Sequence, residues 1–555
     1  MIERGNPLKT RIFHPETEKN AIAEAAEIIR RGGLLGIPTE TVYGLGADAL
    51  NEKAVKAIFE AKGRPQDNPL IIHVPSADWL ERYCHDVPQV AYELARRFWP
   101  GPLTMILPRR ENVPLRTTGG LETVGVRCPN HPLTLAIIKA AGVPIAAPSG
   151  NTSGRPSPTT AQHMIEDMDG KIDGIVDGGP CAVGVESTII DLTVSPPRLL
   201  RPGGLPLEEL RAVLGEVAVD KAVTEKLGEG ERPRAPGMKY RHYAPKAPVT
   251  VVTGDPARTA AWIGAHLGEG DGVICFDEFA GQFTGHTVHK LGAAADRLAQ
   301  AQHVFDALRA FDTDDVRHIY AQCPDDAGLG LAVGNRLKKA AGFHVVRVES
   351  PIVIGLTGPT GAGKTSALNA LEKLGGLILD CDAIYHEMLR TDEGLRRAIT
   401  VAFGDVFDEN GLNRQKLGAV VFGDSAAMDR LNAIIYAYIP REVERRIAET
   451  DAPIVGIDAI NLFESGLSRL CHRTVGLLAP PEVRLRRIMA RDGIGEEYAR
   501  LRIAAQKGDD FYRAHCTDIL MNDAASAAEF ENKATAFFCH MIQEINNNKE
   551  ESNHE

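Results

Sequence analysis

Apolar runs alternate with amphipathic stretches along the first 220 residues. Residues 24–31 and 54–61 carry apolar positions three and four apart, as amphipathic helices do. Between them lie short apolar runs bounded by turn residues, which is typical of buried strands. The predicted strands are 34–37, 70–74, 143–147 and 188–192. The pattern predicts a mixed α/β core over residues 1–220.

The pattern changes at residues 221–248, where a polar stretch is followed by four prolines between positions 233 and 248. Because proline fixes φ and lacks an amide donor, this segment is predicted to be an extended linker. Strand and helix patterns alternate again over residues 249–349, which predicts a small parallel-sheet domain. Residues 350–555 begin with another apolar run and form a further α/β unit.

Composition narrows the class of protein. The 555 residues are 44% hydrophobic and 25% charged, so wholesale disorder is excluded. The net charge of −12 argues against stable nucleic-acid binding through the overall field. Nine scattered cysteines without a CxxC pair argue for reduced thiols. There is no apolar leader and no run of about 18 apolar residues, so we expect a cytoplasmic protein without a membrane segment.

Residues 358–365, Gly-Pro-Thr-Gly-Ala-Gly-Lys-Thr, fit the pattern G-x-x-x-x-G-K-[ST]. An apolar run at 352–356 precedes them and a helical pattern at 366–374 follows. A strand that feeds a glycine loop at a helix start directs backbone amides at phosphates. Lys364 is expected to reach the outer phosphates, and the Thr365 hydroxyl to hold Mg²⁺. The predicted ATP contacts in this loop are Gly358, Gly361, Ala362, Gly363, Lys364, Thr365 and Ser366.

Two carboxylates, Asp380 and Asp382, follow a second apolar run at 377–379. The carboxyl ends of parallel strands are where ligands bind in α/β proteins. One carboxylate could accept the proton of an attacking hydroxyl while the other orders substrate or metal-bound water. The spacing alone is also compatible with a solvated turn.

Residues 351–555 resemble the dephospho-CoA kinases. The resemblance rests on Asp380-x-Asp382, on Gly-Leu-Asn-Arg at 411–414, on Leu-Phe-Glu-Ser at 462–465 and on an arginine-rich stretch from Arg484 to Arg491. It implies that Asp382 is the general base on the ribose 3′-hydroxyl of dephospho-CoA, with Lys364 and Arg491 also catalytic. It further implies ATP contacts by the lid arginines Arg487 and Arg491. Asn522 falls where the family contacts the adenine end, and is grouped with Asp380 and Asp382 in acceptor binding.

Two segments depart from that family pattern. The usual His-Pro is replaced by Tyr436-Ala437, and the usual Pro-Leu-Leu by Ile-Asn-Leu at 460–462. Both changes touch the expected acceptor pocket and leave the phosphate loop unchanged. A kinase that phosphorylates a nucleoside or a sugar therefore remains an alternative.

The first 220 residues carry isolated cations and hydroxyls at predicted strand ends. Lys62, Arg64, Arg127 and Arg201 would line one anion site if the strands converge, because arginine suits bidentate capture of carboxylate or phosphate. Each arginine could instead be a solvated surface charge. No Ser–His–Asp arrangement is evident, so covalent catalysis is not favoured.

These segments resemble the YrdC-like threonylcarbamoyl-AMP synthases. The motifs, in order, include Pro-Thr-Glu-Thr-Val-Tyr-Gly-Leu-Gly at 38–46, Lys-Gly-Arg-Pro at 62–65, Ala-Pro-Ser-Gly-Asn-Thr-Ser-Gly at 147–154 and Arg-Pro-Gly-Gly at 201–204. The linker motif at 236–245 and the domain at 249–349 resemble the long two-domain form. The resemblance implies that L-threonine, bicarbonate and ATP yield threonylcarbamoyl-adenylate and pyrophosphate, which supplies the t⁶A modification of tRNA.

The same resemblance implies the site residues of this half. The expected threonine contacts are Thr39, His73, Arg127, Ala147 and Ser187. The expected ATP contacts are Lys62, Arg64, Asn68, Thr123, Ser149, Ser157, Arg201 and Tyr243 of the linker. Arg64 is expected to be catalytic, Mg²⁺ to hold the pyrophosphate, and the linker to act as a gate. Gly150 stands where the family often has alanine, and we expect it to be tolerated.

The sequence thus predicts a bifunctional α/β protein with a YrdC-like twisted mixed sheet at 1–220, a linker at 221–248, a Rossmann-like domain at 249–349 and a P-loop kinase domain at 350–555. Its expected partners are ATP, L-threonine, bicarbonate and dephospho-CoA, with an indirect link to tRNA. Two alternatives concern the N-terminal part, namely an RNA-binding module or a carbamoyl-phosphate-using maturation factor. The missing zinc-type cysteine pairs argue against the second.

Overall fold

The structure is a computed structural model that describes residues 9–225, 234–236, 243–408, 411–421, 423–450 and 452–552. The chain separates into two compact units, Met1–Val348 and Glu349–Glu555. Both units are α/β, as predicted. None of the helices in the described part combines the length and the apolar character that crossing a membrane requires.

The first unit contains two sheets. Its strands are β1 (Arg11–Phe13), β2 (Leu35–Ile37), β3 (Gly44–Asp48), β4 (Ile71–His73), β5 (Leu103–Pro108), β6 (Thr123–Arg127), β7 (Ile145–Ala146), β8 (Gly174–Val176), β9 (Thr188–Asp191), β10 (Arg198–Arg201), β11 (Ala218–Val219), β12 (Val249–Gly254), β13 (Gly272–Cys275), β14 (Thr287–Lys290), β15 (Ile319–Gln322) and β16 (Val345–Val348). Its helices are α1 (Ala21–Arg30), α2 (Glu52–Lys62), α3 (Leu80–Tyr83), α4 (Gln89–Phe98), α5 (Pro132–Ala141), α6 (Ala161–Met168), α7 (Leu207–Leu214), α8 (Lys221–Thr224), α9 (Pro256–His266), α10 (Arg297–Ala310) and α11 (Gly330–Ala340), with 3₁₀ turns at Ala77–Trp79 and Asp277–Gln282.

The larger sheet of this unit is mixed, with the order β1-β8-β2-β3-β7-β4-β6-β5-β9-β10-β11 among the described strands. β2 and β3 are antiparallel, whereas β4 and β6 are parallel. The four apolar runs predicted as strands correspond to β2, β4, β7 and β9, and all four are fully buried. This sheet brings residues from distant motifs to one cleft.

The smaller sheet has the order β14-β13-β15-β12-β16, and all its pairings are parallel. It is the small parallel-sheet domain that the sequence predicted, and α9 and α11 pack on it. The predicted linker between the two sheets differs at its start, where α8 buries Ala222 and Val223. Residues 226–233 and 237–242 of that linker lie outside the described residues.

The second unit is built on a parallel sheet with the order β18-β21-β17-β22-β23. Its strands are β17 (Ile352–Thr357), β18 (Gly376–Asp380), β19 (Phe407–Asp408), β20 (Gly411–Leu412), β21 (Ile454–Asp458), β22 (Arg473–Leu478) and β23 (Asp518–Met521). Its helices are α12 (Lys364–Lys373), α13 (Cys381–Thr391), α14 (Glu393–Phe403), α15 (Arg414–Val421), α16 (Ser425–Glu449), α17 (Pro481–Asp492), α18 (Glu496–Ala504), α19 (Asp509–His515) and α20 (Ala527–Ser552), with a 3₁₀ turn at Leu467–Leu470. The short β19–β20 pair is antiparallel.

Candidate active sites

The first unit contains a cleft that is lined by most of the predicted residues. Nine of the thirteen residues expected to contact threonine or ATP line it, namely Lys62, Arg64, His73, Arg127, Ala147, Ser149, Ser187, Arg201 and Tyr243. The four that do not line it are Thr39, Asn68, Thr123 and Ser157. Thr39, Asn68 and Ser157 are buried, and Thr123 is half-buried at the start of β6.

The position of Lys62 follows from the ends of its helix. The Asn51 side chain caps α2 by accepting from the amides of Lys53 and Ala54, and Gly63 ends the helix at φ +61°. Lys62 therefore occupies the last turn and is only 2% exposed. Its ammonium group donates to the backbone carbonyls of Ser149 and Asn151. The loop after β7 is thereby tied to α2 at the cleft.

The cations of the cleft are held in an environment that disfavours their charge. Burial lowers the pKa of Lys62 well below its usual value and that of Arg64 to about 10. Burial likewise lowers the pKa of Arg201 to about 10. Arg64 Nε and Nη2 are buried and have no hydrogen-bond partner in the described part of the chain. Such donors are satisfied when an anion enters, which is the property of a phosphate site.

A second group of side chains lies on the other strands of the cleft. Arg127 Nη2 is 2.7 Å from Glu40 Oε2, and both side chains are buried. The adjacent His73 is buried too, so burial and the Arg127 charge lower its pKa to about 3. His73 Nδ1 is 3.2 Å from the Ile145 carbonyl. With Nδ1 donating, the neutral ring keeps Nε2 as an acceptor.

Hydroxyl groups complete this side of the cleft. Ser187 Oγ lies 2.8 Å from Thr104 Oγ1 and accepts from Arg201 Nη2 at 3.1 Å. The Thr39 hydroxyl is turned into its own loop, where it donates to the Val42 carbonyl at 2.6 Å, and Thr41 lines the cleft in its place. The sequence missed Thr41 because both threonines belong to one motif and only the turn decides which faces the cleft.

Glu186 is the single carboxylate among the described residues that line this cleft, and the sequence assigned it no role. Its Oε1 accepts from Ser157 Oγ at 2.7 Å, and its Oε2 accepts from Arg336 Nε at 2.6 Å. It also forms a side-chain hydrogen bond with Tyr243. Burial opposes the charged carboxylate, but Arg336 and Arg201 hold the pKa of Glu186 at about 2. Ser157 thus does not face the cleft itself but holds Glu186 in place by a hydrogen bond.

The phosphate loop of the second unit lies between β17 and α12, as predicted. Gly363 has φ +103°, and a Cβ there would overlap the amide of Asn522. The position therefore excludes a side chain for two independent reasons. Lys364, at the start of α12, forms an ion pair of 2.6 Å with Asp458 at the end of β21. The loop thus carries its lysine next to a carboxylate that the sequence did not assign.

The predicted carboxylate pair divides into two roles. Asp380 caps α13 by accepting from the amides of Asp382 and Ala383 at 2.9 and 3.0 Å. Asp382 is exposed in the first turn of that helix. Asp458 lies opposite Asp380 in the neighbouring strand, and burial raises its pKa. Three carboxylates therefore lie near the strand ends, one of them committed to a helix cap.

The arginine-rich helix α17 contacts the phosphate loop directly. Arg487 donates to the Gly361 carbonyl and to Asn522 Oδ1, both at 3.2 Å. Arg484 donates to the Thr360 carbonyl and to Gln506, whose amide also bonds the Thr360 hydroxyl at 2.6 Å. In contrast, the Arg491 side chain is 60% exposed and paired with Asp492. Of the two predicted lid arginines, only Arg487 touches the loop in this structure.

The placement of Asn522 differs from its grouping with Asp380 and Asp382. Its amide donates to the Ala362 carbonyl at 2.8 Å, so it lies against the phosphate loop. The order of the sheet gives the reason, because β23 and β18 occupy opposite edges. Asn522 follows β23, whereas Asp380 ends β18. Asn522 is thus a neighbour of the nucleotide loop.

The second unit offers few protein ligands for a metal ion. Within the described ranges, no group of three or more His, Cys, Asp or Glu side chains is arranged to hold a metal ion. Mg²⁺ commonly binds through one or two protein oxygens together with substrate phosphates and water. The Thr365 hydroxyl at the helix start and the Asp458 carboxylate beside Lys364 are oxygen donors of that kind. These residues fit Mg²⁺ that arrives with a nucleotide.

The two departures from the kinase pattern meet in space. Tyr436 of α16 and Asn461 after β21 form a side-chain hydrogen bond, which partly offsets the effect of burial in raising the pKa of Tyr436. The next residue in that loop, Leu462, is fully buried, whereas Ile460, on the other side of Asn461, is exposed. The replaced residues therefore form one local unit.

Three known families match the chain in order. Residues 27–203 match the Sua5, YciO and YrdC family, described as telomere recombination. Residues 205–342 match the threonylcarbamoyl-AMP synthase C-terminal domain, and residues 352–528 match dephospho-CoA kinase.

Curated relatives match the first of the two units. The threonylcarbamoyl-AMP synthase of Bacillus subtilis is 48% identical over 334 residues, which cover 60% of this chain and 96% of that protein. The threonylcarbamoyl-AMP synthase of Pyrococcus abyssi is 50% identical over 337 residues, with 60% and 97% covered. The crystal structure of P. abyssi Sua5 complexed with L-threonine matches with a TM-score of 0.58 and 48% identity, covering 61% of this chain and 99% of that one.

Proposed function

The chain belongs to the threonylcarbamoyl-AMP synthase family and carries a dephospho-CoA kinase domain behind it, and from that premise we propose how its two sites work. The enzyme forms threonylcarbamoyl-AMP in the first unit and phosphorylates dephospho-CoA in the second. The observation that carries the first assignment is the buried Arg64 guanidinium, which presents two unsatisfied donors to a cleft that already holds Lys62 and Arg201.

In the first unit the residues act by position and charge. We assign Arg64, Arg201 and Lys62 to the triphosphate of ATP, because they are buried basic side chains of one cleft and Arg64 still has two unsatisfied donors. Arg127, fixed beside Glu40, suits the carboxylate of L-threonine. The neutral His73 ring and the Ser187 hydroxyl supply acceptors for the ammonium and hydroxyl groups of that substrate.

The reaction follows from this arrangement. The ammonium group of threonine first loses one proton to solvent. The free amine then attacks the carbon of bicarbonate, and a carbamate forms with loss of one water molecule. A carbamate oxygen then forms a bond to the α-phosphorus of ATP, and the bond from that phosphorus to the bridging oxygen breaks, releasing pyrophosphate. The charge that develops on the leaving group is met by the buried cations, which need no reorganisation. Mg²⁺ that arrives with ATP would supply further charge neutralisation.

In the second unit the phosphate loop binds the donor and the strand ends take the acceptor. We assign Asp382 as the base that removes the proton from the ribose 3′-hydroxyl, because it is exposed at the start of α13 and free of the cap that engages Asp380. Lys364 leaves Asp458 for the outer phosphates, and Arg487 already contacts the loop. Closure of α17 would bring the exposed Arg491 to the transferred phosphoryl group.

The remaining parts of the proposal concern the co-substrate, the use of the product, the cellular compartment and the domain boundaries. We also propose bicarbonate as co-substrate and the t⁶A modification of tRNA as the destination of the product, and the family assignment supports both. All nine cysteines are unpaired thiols, which supports a reducing compartment such as the cytoplasm. The proposed domains are 1–220, the linker 221–248, 249–349 and 350–555.

The test of the first activity is pyrophosphate release by the full-length protein, with ATP, threonine and bicarbonate omitted in turn. Release that needs all three supports the proposal, whereas release without threonine contradicts it. A protein that binds RNA in a salt-dependent manner and releases no pyrophosphate would instead be a binding module. The test of the second activity is a competition assay in which dephospho-CoA, nucleosides and sugars are offered together as phosphate acceptors. Preferential phosphorylation of a nucleoside or a sugar contradicts the assignment.

A further inference from the structure

The synthase cleft is completed by a residue from the domain that follows the linker. Arg336 lies on α11, packed against the smaller sheet, and its side chain is fully buried. Its Nε donates to Glu186 of the cleft at 2.6 Å, and its Nη1 donates to the neighbouring Asn335 Oδ1 at 3.0 Å. The guanidinium carbon lies 5.6 Å from the centre of the Tyr243 ring. Thus the small domain sends a cation to the wall of the cleft.

Glu186 would otherwise oppose the substrate. A buried carboxylate beside the polyphosphate of ATP repels it, and an unpaired buried charge is strongly unfavourable in itself. Glu186 accepts from Ser157, which lies behind the cleft wall, and forms a side-chain hydrogen bond with Tyr243 of the linker. The carboxylate therefore also holds residues at and behind the wall of the cleft. Its acceptor oxygens are thus useful as anchors, whereas its charge is harmful next to the phosphates of ATP.

We propose that Arg336 is a positioning residue of the synthase reaction, which neutralises Glu186 so that this carboxylate can anchor Tyr243 and Ser157 without repelling ATP. The inference rests on the proposed synthase function and extends it to the small domain, whose α11 becomes part of the active site. Tyr243 supports this geometry, because its backbone has φ +64° and its side chain is 5% exposed. A non-glycine residue in that region needs strong local contacts to stay there.

The first experiment compares the full-length wild type with Arg336→Met, Glu186→Gln and the double variant in threonine-dependent pyrophosphate release. Arg336→Met leaves Glu186 buried with one cation fewer, so we expect kcat/KM for ATP to fall about 100-fold. Glutamine keeps a carbonyl acceptor for Tyr243 and Ser157 without a charge, so Glu186→Gln should lose less than about 10-fold. The double variant should recover to the level of Glu186→Gln.

Arg258→Met is the matched control, because Arg258 is another buried arginine of the small domain, on α9, and does not line the cleft. It should lower the thermal stability of the first unit and keep pyrophosphate release within about threefold of wild type. Dephospho-CoA phosphorylation by the same preparations reports that the second unit is intact.

The pH profile supplies a readout that a merely structural role would not move. Without Arg336, the pKa of Glu186 should rise from about 2, because fewer groups then oppose the effect of burial. A lower pH should therefore favour the neutral carboxyl group. Burial lowers the pKa of Lys339 of α11 to about 7, so this side chain also gains a proton, and with it a positive charge, as the pH falls. We therefore expect the ratio of Arg336→Met activity to wild-type activity to be higher at about pH 6 than at about pH 8. The other charged or titratable groups that face Glu186 are Lys62, Arg201 and Tyr243.

Each outcome decides the matter. Loss in Arg336→Met with recovery in the double variant supports the inference. Full activity of Arg336→Met overturns it, and so does equal inactivity of Arg336→Met and the double variant, because neutralisation would then not be the role of the residue. A wild type without threonine-dependent pyrophosphate release overturns the proposed function itself, which the variants alone cannot do.

Discussion

The ammonium group of Lys364 lies 2.6 Å from Oδ1 of Asp458, at the carboxyl end of the parallel sheet in the second unit. The pair is partly exposed, so it can open when a nucleotide arrives. Lys364 then leaves the Asp458 carboxylate and binds the outer phosphates of the nucleotide. Asp458 remains beside the reacting groups. The resting contact thus holds the lysine ammonium at the end of β21.

Asp458→Asn should lower kcat of the kinase about 100-fold and leave the KM for ATP unchanged or lower. The reason is that the lysine must leave Asp458 to bind ATP, whereas the carboxylate is needed during transfer. Steady-state phosphorylation of dephospho-CoA measures both constants. Asp429→Asn, an exposed aspartate on α16, is the control. A raised KM with unchanged kcat would show that Asp458 only helps to bind the nucleotide.

His73 predicts how the stability of the first unit depends on pH. The ordinary pKa of histidine is 6.5, whereas burial and the Arg127 charge lower that of folded His73 to about 3. Between these values the unfolded chain binds a proton that the folded chain does not. Stability therefore falls as the pH falls from about 6.5 towards 3, by up to about 1.4 kcal/mol per pH unit.

Urea unfolding of wild type and His73→Gln at several pH values measures this dependence. The difference in unfolding free energy between the two proteins should shrink or reverse in favour of the variant as the pH is lowered. His303→Gln, an exposed histidine of α10, should follow the wild-type curve. Parallel curves for wild type and His73→Gln would mean that His73 is protonated in the fold.

We expected Gly150 to be tolerated at a position where the family often has alanine. The structure shows which side chain occupies the space that the alanine methyl group would take. A Cβ at this position would overlap the sulfur of Met164 on α6 and lie 2.7 Å from its methyl carbon. Met164 is fully buried. Gly150→Ala should therefore destabilise the first unit by about 1–3 kcal/mol.

Replacing Met164 tests that explanation. The double variant with Gly150→Ala and Met164→Val should be more stable than the sum of the two single effects, because the shorter side chain vacates the position. Thermal unfolding of the four proteins completes the cycle. Additive effects would indicate that the strain at Gly150 arises from the backbone.

The phosphate loop was predictable because all its members lie within eight consecutive residues between a strand and a helix. The order of secondary-structure elements was predictable for a similar reason, since each element carries its own local pattern. For example, the predicted strand at 188–192 corresponds to β9, at Thr188–Asp191. The boundaries shifted by up to three residues, because caps and local packing set them.

Contacts between distant segments were not predictable. Arg336 bonds Glu186 across 150 residues of sequence, and nothing in the helical pattern of α11 separates it from a solvated arginine. Asn522 was grouped with the acceptor carboxylates, and only the strand order places it at the phosphate loop. Asp380 and Asp382 are alike in sequence, whereas the start of α13 gives one the cap and leaves the other exposed.

The central claim is that one chain holds two independent nucleotide sites, and paired variants test it most directly. Arg64→Ala should abolish threonine-dependent pyrophosphate release and leave phosphorylation of dephospho-CoA at the wild-type rate. Lys364→Met should do the reverse. Measuring both activities on each full-length variant gives four rates, and the account predicts that only one is lost in each protein. Loss of both activities in either variant, or of neither, would contradict it.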